Sequence, residues 1–248
     1  MAATPREKPT YVVEKTCPIC EEKTRVVKTR SRVLAIKTDR DLCTHYQGVI
    51  PYYYRIWVCE HCGYAEDERH FMRGLPEKSK AKIRAFLKGR EVHLSFHDPR
   101  TQADAIASYK LALYYAKLTE AESLAHVAGL NLNLAWVYRT GEDKGNDREN
   151  EQAFLREAGR LYEKALMTER FPQGQMTEAD CTYLIGAIYL ELKEYDQAAK
   201  YISLLRQDKE LETRERTVAQ NAKELWQELR EEMKAAKAEK KKVAEMKG

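Results

Sequence analysis

The sequence lacks any apolar run near the roughly 18 residues that a membrane-spanning helix requires, so no helical membrane span is expected. Its opening residues, MAATPREKPT, hold no apolar stretch. No secretory signal is therefore read there, and a cytoplasmic protein with reduced thiols is expected. Gly-rich phosphate loops, the GxSxG nucleophile motif and the HExxH metalloprotease motif are all missing. No two carboxylates are spaced as a recognisable pocket pair. These absences remove the enzyme classes most readily read from sequence and assign no reaction in their place.

What is present is a chain of 248 residues, 43% hydrophobic and 33% charged. That is enough apolar material for one large core or two modest ones. The net charge of +4 is uneven. Residues 1–95 carry 19 Lys and Arg against 12 Asp and Glu, whereas residues 96–230 carry 18 against 23. The step near residue 95 suggests two modules.

Six cysteines in a reducing compartment read as four metal ligands and two further thiols, Cys43 and Cys181. The four are Cys17 and Cys20, in Cys17-Pro18-Ile19-Cys20, and Cys59 and Cys62, in Cys59-Glu60-His61-Cys62-Gly63. Each two-residue gap lets both thiolates of a pair face one ion. The 38 residues between the pairs exceed the usual ribbon spacing, but leave room for a strand pair and a loop. Four thiolates around Zn2+ make a closed structural site with no position for water or substrate. One structural zinc per chain is therefore expected. The complex would carry a charge of −2, which Lys15, Lys23, Arg25, Lys28 and Arg55 are placed to offset.

Around these knuckles, residues 10–16 read as a strand and 24–37 as two more with a turn near 29–32. Residues 39–51 read as a loop and 52–58, Tyr-Tyr-Tyr-Arg-Ile-Trp-Val, as a strong strand. Asp41-x-Cys43-x-His45 supports two readings. One is a reactive thiol with His45 as its base, or a second metal site completed by His61 or His70. The other is a small buried cysteine in a turn. Ala65–His70 reads as a polar turn or short helix. A helix follows from Pro76-Glu77, its Lys and Arg side chains forming a solvated face or a phosphate contact. Residues 92–99, with His93 and His97, read as a linker.

Beyond residue 100 the pattern is helical, over about 101–118, 121–139, 150–168, 177–192, 195–206 and 213–240, with a loop across 140–150. Three helices share one spacing: Ala105-x3-Tyr109-x2-Ala112, Ala158-x3-Tyr162-x2-Ala165 and Ala198-x3-Ile202-x2-Leu205. Small residues at such positions let paired helices approach closely, as in tetratricopeptide (TPR) repeats. The copies lie 53 and 40 residues apart rather than the 34 of that repeat, so the array is TPR-like, with a generic helical bundle as the alternative. Asn131, Asn133 and Arg139, with Asp180, Tyr183 and Ala187, occupy the positions where some TPR proteins grip a peptide carboxylate, but do not make a convincing clamp. Val218, Ala222, Leu225, Trp226, Leu229, Met233 and Ala236 form one stripe on the last helix, which fits a cap on the array.

Several stretches resemble the bacterial family catalogued as domain of unknown function (DUF) 2225: Lys15-Thr16-Cys17-Pro18-Ile19-Cys20, Asp39-x-Asp41-Leu42-Cys43, Tyr46-x-Gly48, Pro51-x2-Tyr54 and Val58-Cys59-x2-Cys62-Gly63-Tyr64-Ala65. The resemblance implies a zinc-ribbon-like N-terminus followed by TPR-like helices, with Cys17, Cys20, Cys59 and Cys62 as ligands. It implies no activity. Glu21 stands where many ribbons have Gly. The expected fold class is α+β, mostly α: a zinc-ribbon β-module over 1–75, a connecting helix and linker over 76–99, a TPR-like helical domain over 100–240 and a disordered tail over 241–248. The expected function is a zinc-binding adaptor that meets a protein partner through its helices. The alternatives are a nucleic-acid-associated ribbon protein and a thiol enzyme or redox sensor using Cys43.

Overall fold

The computed structural model describes residues 8–90, 96, 98–120, 122–141 and 147–245. The fold is α+β and mostly α, with nine helices and three two-stranded sheets among the described residues. Two compact units emerge, and they do not divide at the charge step. The first comprises residues 1–39 and 43–154; the second comprises 40–42 and 155–248. His93, His97 and most of the 140–150 loop lie outside the described residues.

The first unit begins with a hairpin of β1 (Thr10–Thr16) and β2 (Lys23–Thr29), antiparallel with Thr16 opposite Lys23. Its turn is therefore the first CxxC pair. Alternation along β2 buries Thr24 and Val26 and exposes Lys23 and Arg25, the period-2 pattern of a half-buried strand. A second hairpin joins β3 (Leu34–Thr38) to β4 (Thr44–Gln47). β4 falls inside the stretch read as loop. Its short Thr-His-Tyr-Gln segment gives little periodicity, and its pairing with β3 supplies what propensity does not. The third hairpin is β5 (Ile56–Val58) with β6 (Ala65–Asp67), Val58 opposite Ala65, and its turn is the second CxxC pair.

Residues 52–54 are a correction. Pro51–Tyr54 form a 3-10 turn, and only Ile56–Val58 of the expected strand is extended. Pro51 sits at the head of the turn with its φ already suitable. The three tyrosines are buried, and two are fixed by their hydroxyls. Tyr52 Oη accepts from the Thr44 amide at 2.7 Å, and Tyr54 Oη donates to Asp98 at 3.0 Å while accepting from the Arg100 amide at 3.0 Å. The polar stretch after the second knuckle is likewise part strand and part helix. β6 leads into α1 (Glu68–Arg73), whose N-cap Asp67 accepts from the His70 amide.

α2 (Glu77–Leu87), α3 (Gln102–Thr119) and α4 (Leu124–Thr140) complete the first unit with the start of α5 (Asp147–Thr168). α3 opens with a capping box between Thr101 and Asp104 and packs on β5 and β6. The core between them is aromatic: Trp57 meets Phe71 at 5.7 Å, and Tyr64 meets Phe71 at 5.5 Å and Tyr115 at 5.4 Å.

The second unit is built on α6 (Glu178–Glu191), joined by the rest of α5, α7 (Tyr195–Gln207), α8 (Leu211–Arg214) and α9 (Arg216–Glu245). α6 is buried on every side from Cys181 to Leu190, as an all-round hydrophobic helix should be. α9 turns Ala222, Leu225 and Leu229 inward, as the stripe predicted. It continues through Glu245, so the expected tail begins as helix.

α6 and α7 approach closely at Gly186. A Cβ there would lie 2.8 Å from Cγ1 of fully buried Ile202. Ile is β-branched and stiff at χ1, so it has no cheap way to yield. Gly186→Ala is expected to lower stability by about 1–3 kcal/mol, the usual range for overpacking, despite the gain in helix propensity. A urea midpoint at or above the wild-type value would contradict this.

Candidate metal centre

Both knuckles fold the same way. In the first, the Glu21 amide donates to the Cys17 carbonyl at 3.0 Å and the Cys17 amide to the Glu22 carbonyl at 2.9 Å. In the second, the Gly63 amide donates to the Cys59 carbonyl and the Cys59 amide to the Tyr64 carbonyl, both at 2.8 Å. The fifth residue of each takes a positive φ, 67° at Glu21 and 74° at Gly63. Gly63 adopts it freely; Glu21 meets the Cβ penalty of the left-handed region. The turn thus forms despite a Glu where a Gly would be easier.

These paired turns bring the four sulfurs of Cys17, Cys20, Cys59 and Cys62 within 4.8 Å of one another. Cys17 Sγ lies 3.6 Å from Cys62 Sγ, and Cys20 Sγ lies 3.6 Å from Cys59 Sγ. A tetrahedral ion with metal–sulfur bonds of about 2.3 Å spaces its sulfurs about 3.8 Å apart, close to both of these separations, so the donor set suits such an ion. Cys17 and Cys59 are fully buried. In each knuckle the amides two and three residues on, Ile19 and Cys20 or His61 and Cys62, face the first sulfur and favour its thiolate.

Without an ion Cys17, Cys59 and Cys62 oppose one another. Cys59 is drawn down because Cys17 and Cys62 both donate to it. Cys17 is pushed up to about 12, chiefly by its bond to Cys59, and Cys62 is pushed up by Cys17 and Cys59. Four thiolates coexist only around a cation, so acid is expected to release it.

Four of the five basic residues read as its charge partners have other contacts. Lys23 pairs with Glu14 at 3.1 Å, Arg25 with Glu60 at 3.7 Å and Lys28 with Glu68 at 2.7 Å, and Arg55 donates to Asn133.

A family model described as "Uncharacterized protein conserved in bacteria (DUF2225)" matches residues 11–229, which span both knuckles and nearly all the helices. The chain belongs to this family. No curated protein and no solved structure matches it. Within this DUF2225 chain the four cysteines form a candidate metal-binding site.

The other sequence candidates fall differently. Cys43 is fully buried, and Asp39 is a carboxylate bonded to His45: His45 Nε2 lies 2.6 Å from Asp39 Oδ2. Arg139 also donates to that oxygen at 3.1 Å, and its Nε donates to Glu151 at 2.6 Å. Burial pushes the Asp39 pKa up, but the bonds from His45 and Lys37 outweigh it and the group stays below the usual range. His61 is engaged elsewhere, its Nε2 lying 2.9 Å from the Lys23 carbonyl. The carboxylate-clamp positions are already engaged: Asn131 and Asn133 donate to the carbonyls of Val127 and Gly129 on their own helix. In the second unit Tyr183 Oη donates to the Arg40 carbonyl, and Asp180 closes a capping box with Thr177. Cys181 is buried, and burial pushes its thiol up to about 12, which makes it a packing residue.

His70, considered with the Cys43 loop from the sequence, joins another group. The ligand atoms of Glu66, Asp67, His70 and His126 lie within 4.8 Å of one another. Burial pushes the Asp67 pKa up, but its bonds from His70 and the nearby His126 hold it near 2. Burial likewise pushes His126 down, and the Glu66 bond with the surrounding carboxylates outweighs it, so His126 sits above its ordinary value. The sequence signal was Asp67-x2-His70 and Glu122-x3-His126, two carboxylate–histidine spacings that fit one helix face. Reading 65–70 as a polar turn or short helix makes no use of it.

Proposed function

We propose that the protein is a cytoplasmic adaptor in which one structural zinc, held by Cys17, Cys20, Cys59 and Cys62, staples a ribbon-like module, while TPR-like helices carry a protein partner. The observation that carries the reading is the closed four-sulfur cluster formed by two matching hairpin turns. Such a site supplies folding energy and leaves no open position for catalysis. The helical part rests on the shared spacing: Ala105, Ala112, Ala158, Ala165 and Ala198 are all fully buried, and Gly186 is needed for the close approach of α6 and α7.

Two observations weigh against the alternatives. Lys23, Arg25, Lys28, Lys80 and Arg84 are each paired with a carboxylate, which blunts a phosphate-binding face. Cys43 is fully buried, which removes the access a reactive thiol needs.

X-ray absorption on the full chain loaded with one zinc tests the site. Four sulfurs at about 2.3 Å and no lighter ligand are expected. An oxygen or nitrogen in the first shell would refute a closed structural centre. For the partner, a tagged full-length chain should retain a specific protein from nuclease-treated native extract. Retention from untreated extract that is lost when the extract is nuclease-treated would favour the nucleic-acid reading instead.

A further inference from the structure

The His–carboxylate cluster shares no residue with the cysteine site. It is assembled from the end of β6, from α1, and from the segment that opens α4. Asp67 stands at its centre. His70 Nδ1 lies 2.9 Å from Asp67 Oδ1 and Oδ2, and His126 Nδ1 lies 3.5 Å from Oδ2. The two imidazoles stack with their centroids 3.7 Å apart. Each turns its other nitrogen to a second carboxylate: His70 Nε2 is 3.6 Å from Glu122 Oε2, and His126 Nε2 is 3.1 Å from Glu66 Oε1. Glu66 Oε1 is itself fixed by the Asp67 amide at 2.8 Å.

The His126–Glu66 bond is how metal-binding histidines are held, and Glu122 faces His70 as a charge partner just beyond hydrogen-bond length. One ring nitrogen meets the ion and the other bonds a carboxylate that sets tautomer and orientation. Ligands at about 2.1 Å from an ion lie roughly 3.0–3.4 Å apart for angles between 90° and tetrahedral. The Asp67–His70 and Asp67–His126 separations fall close to that range.

Two features do not suit a plain ion-pair network. The Glu122 side chain is 3% exposed, yet its Oε1 has no hydrogen-bond partner among the described residues. Tyr64, 1% exposed and within the influence of the Glu66 and Glu122 charges, also has a hydroxyl with no partner among the described residues. Unsatisfied buried polar atoms beside such a cluster point to an ion or its bound water. The charge count agrees. With neutral imidazoles, Glu66, Asp67 and Glu122 supply three negative charges, and Arg73 on Glu122 supplies one positive. The balance is that of a dication.

We propose that Asp67, His70 and His126 form a second metal site, an open three-ligand centre for a divalent first-row transition ion, with Glu66 and Glu122 orienting the two imidazoles. Two histidines and one carboxylate leave positions for water or substrate, unlike the closed cysteine site.

The test is a cobalt titration of the full-length chain already loaded with one zinc. Wild-type protein should bind one additional Co2+ and show paramagnetically shifted ring resonances from two histidines, His70 and His126. Asp67→Asn, whose amide still caps α1, and His126→Gln should each weaken cobalt binding at least about tenfold while zinc stays at one per chain. Glu122→Gln should weaken it about 10- to 100-fold, the usual cost of losing an orienting carboxylate. No second cobalt, shifted resonances from other histidines, or unchanged affinity in Asp67→Asn would each overturn the proposal and leave a protonated ion-pair network only. The wild-type stoichiometry and spectrum decide the matter even if a variant fails to fold.

Discussion

Cys59→Ser is expected to release the zinc proposed for the four-cysteine site and to unfold the hairpins around it. Cys59 is fully buried, and its sulfur lies 3.6 Å from that of Cys20. Serine is a poor zinc ligand, and three thiolates with a water in place of the fourth no longer make a closed site. Structural zinc contributes about 10–16 kcal/mol in small zinc-binding domains. A whole domain is stable by only about 5–15 kcal/mol. Losing even a third of the metal's contribution therefore decides whether β5, β6 and their turn stay folded. Trp57 and Tyr64, both buried beside that turn, should lose their near-ultraviolet signal. Helices α6–α9 belong to the second unit and should retain their far-ultraviolet signal. Zinc per chain should fall from one to zero by elemental analysis. Cys181→Ser, the control, should keep it. Full zinc occupancy with native near-ultraviolet signal in Cys59→Ser would refute the proposed role.

The cysteine pairs were legible because the information is local: each knuckle is a few residues closed by its own backbone bonds. The helices were legible for a similar reason, since burial of Ala105, Tyr109 and Ala112 follows from spacing on one face. The 3-10 turn at Pro51–Tyr54 was not legible. Tyr-Tyr-Tyr has strong strand propensity, and what overrides it is a cation from 46 residues downstream. The His70–His126 cluster was missed because half of it comes from Glu122 and His126, far along the chain. No short motif joins them to Asp67 and His70. The division into units also resists reading, because α3 and α4 belong with the ribbon rather than with the later helices.

Arg100→Met should expose that long-range dependence most directly. Arg100 is 7% exposed, and its guanidinium lies over the Tyr54 ring, 5.8 Å from the centroid. One terminal nitrogen donates to the Tyr53 carbonyl at 3.0 Å and to the Ile56 carbonyl at 2.8 Å. These carbonyls bracket the step from 3-10 turn to β5. Burial lowers the Arg100 pKa, so holding the charge there has a cost that the two bonds offset. Methionine matches the length of the stem and removes both donors. Two buried carbonyls then lose charge-assisted bonds worth about 1.5–3 kcal/mol each, while relief of the buried charge returns part of the loss. A net destabilisation of about 2–4 kcal/mol is expected, read as a lower urea midpoint. A second consequence separates this from a general packing defect. Ile56 opens the strand that delivers Cys59, so loosening its carbonyl should loosen the second knuckle. Zinc release to a chelator should therefore quicken severalfold in Arg100→Met under conditions where the protein remains folded. Gly186→Ala, which perturbs only the second unit, should release zinc at the wild-type rate. Equal release rates in Arg100→Met and wild type would show that the turn and the metal site are uncoupled.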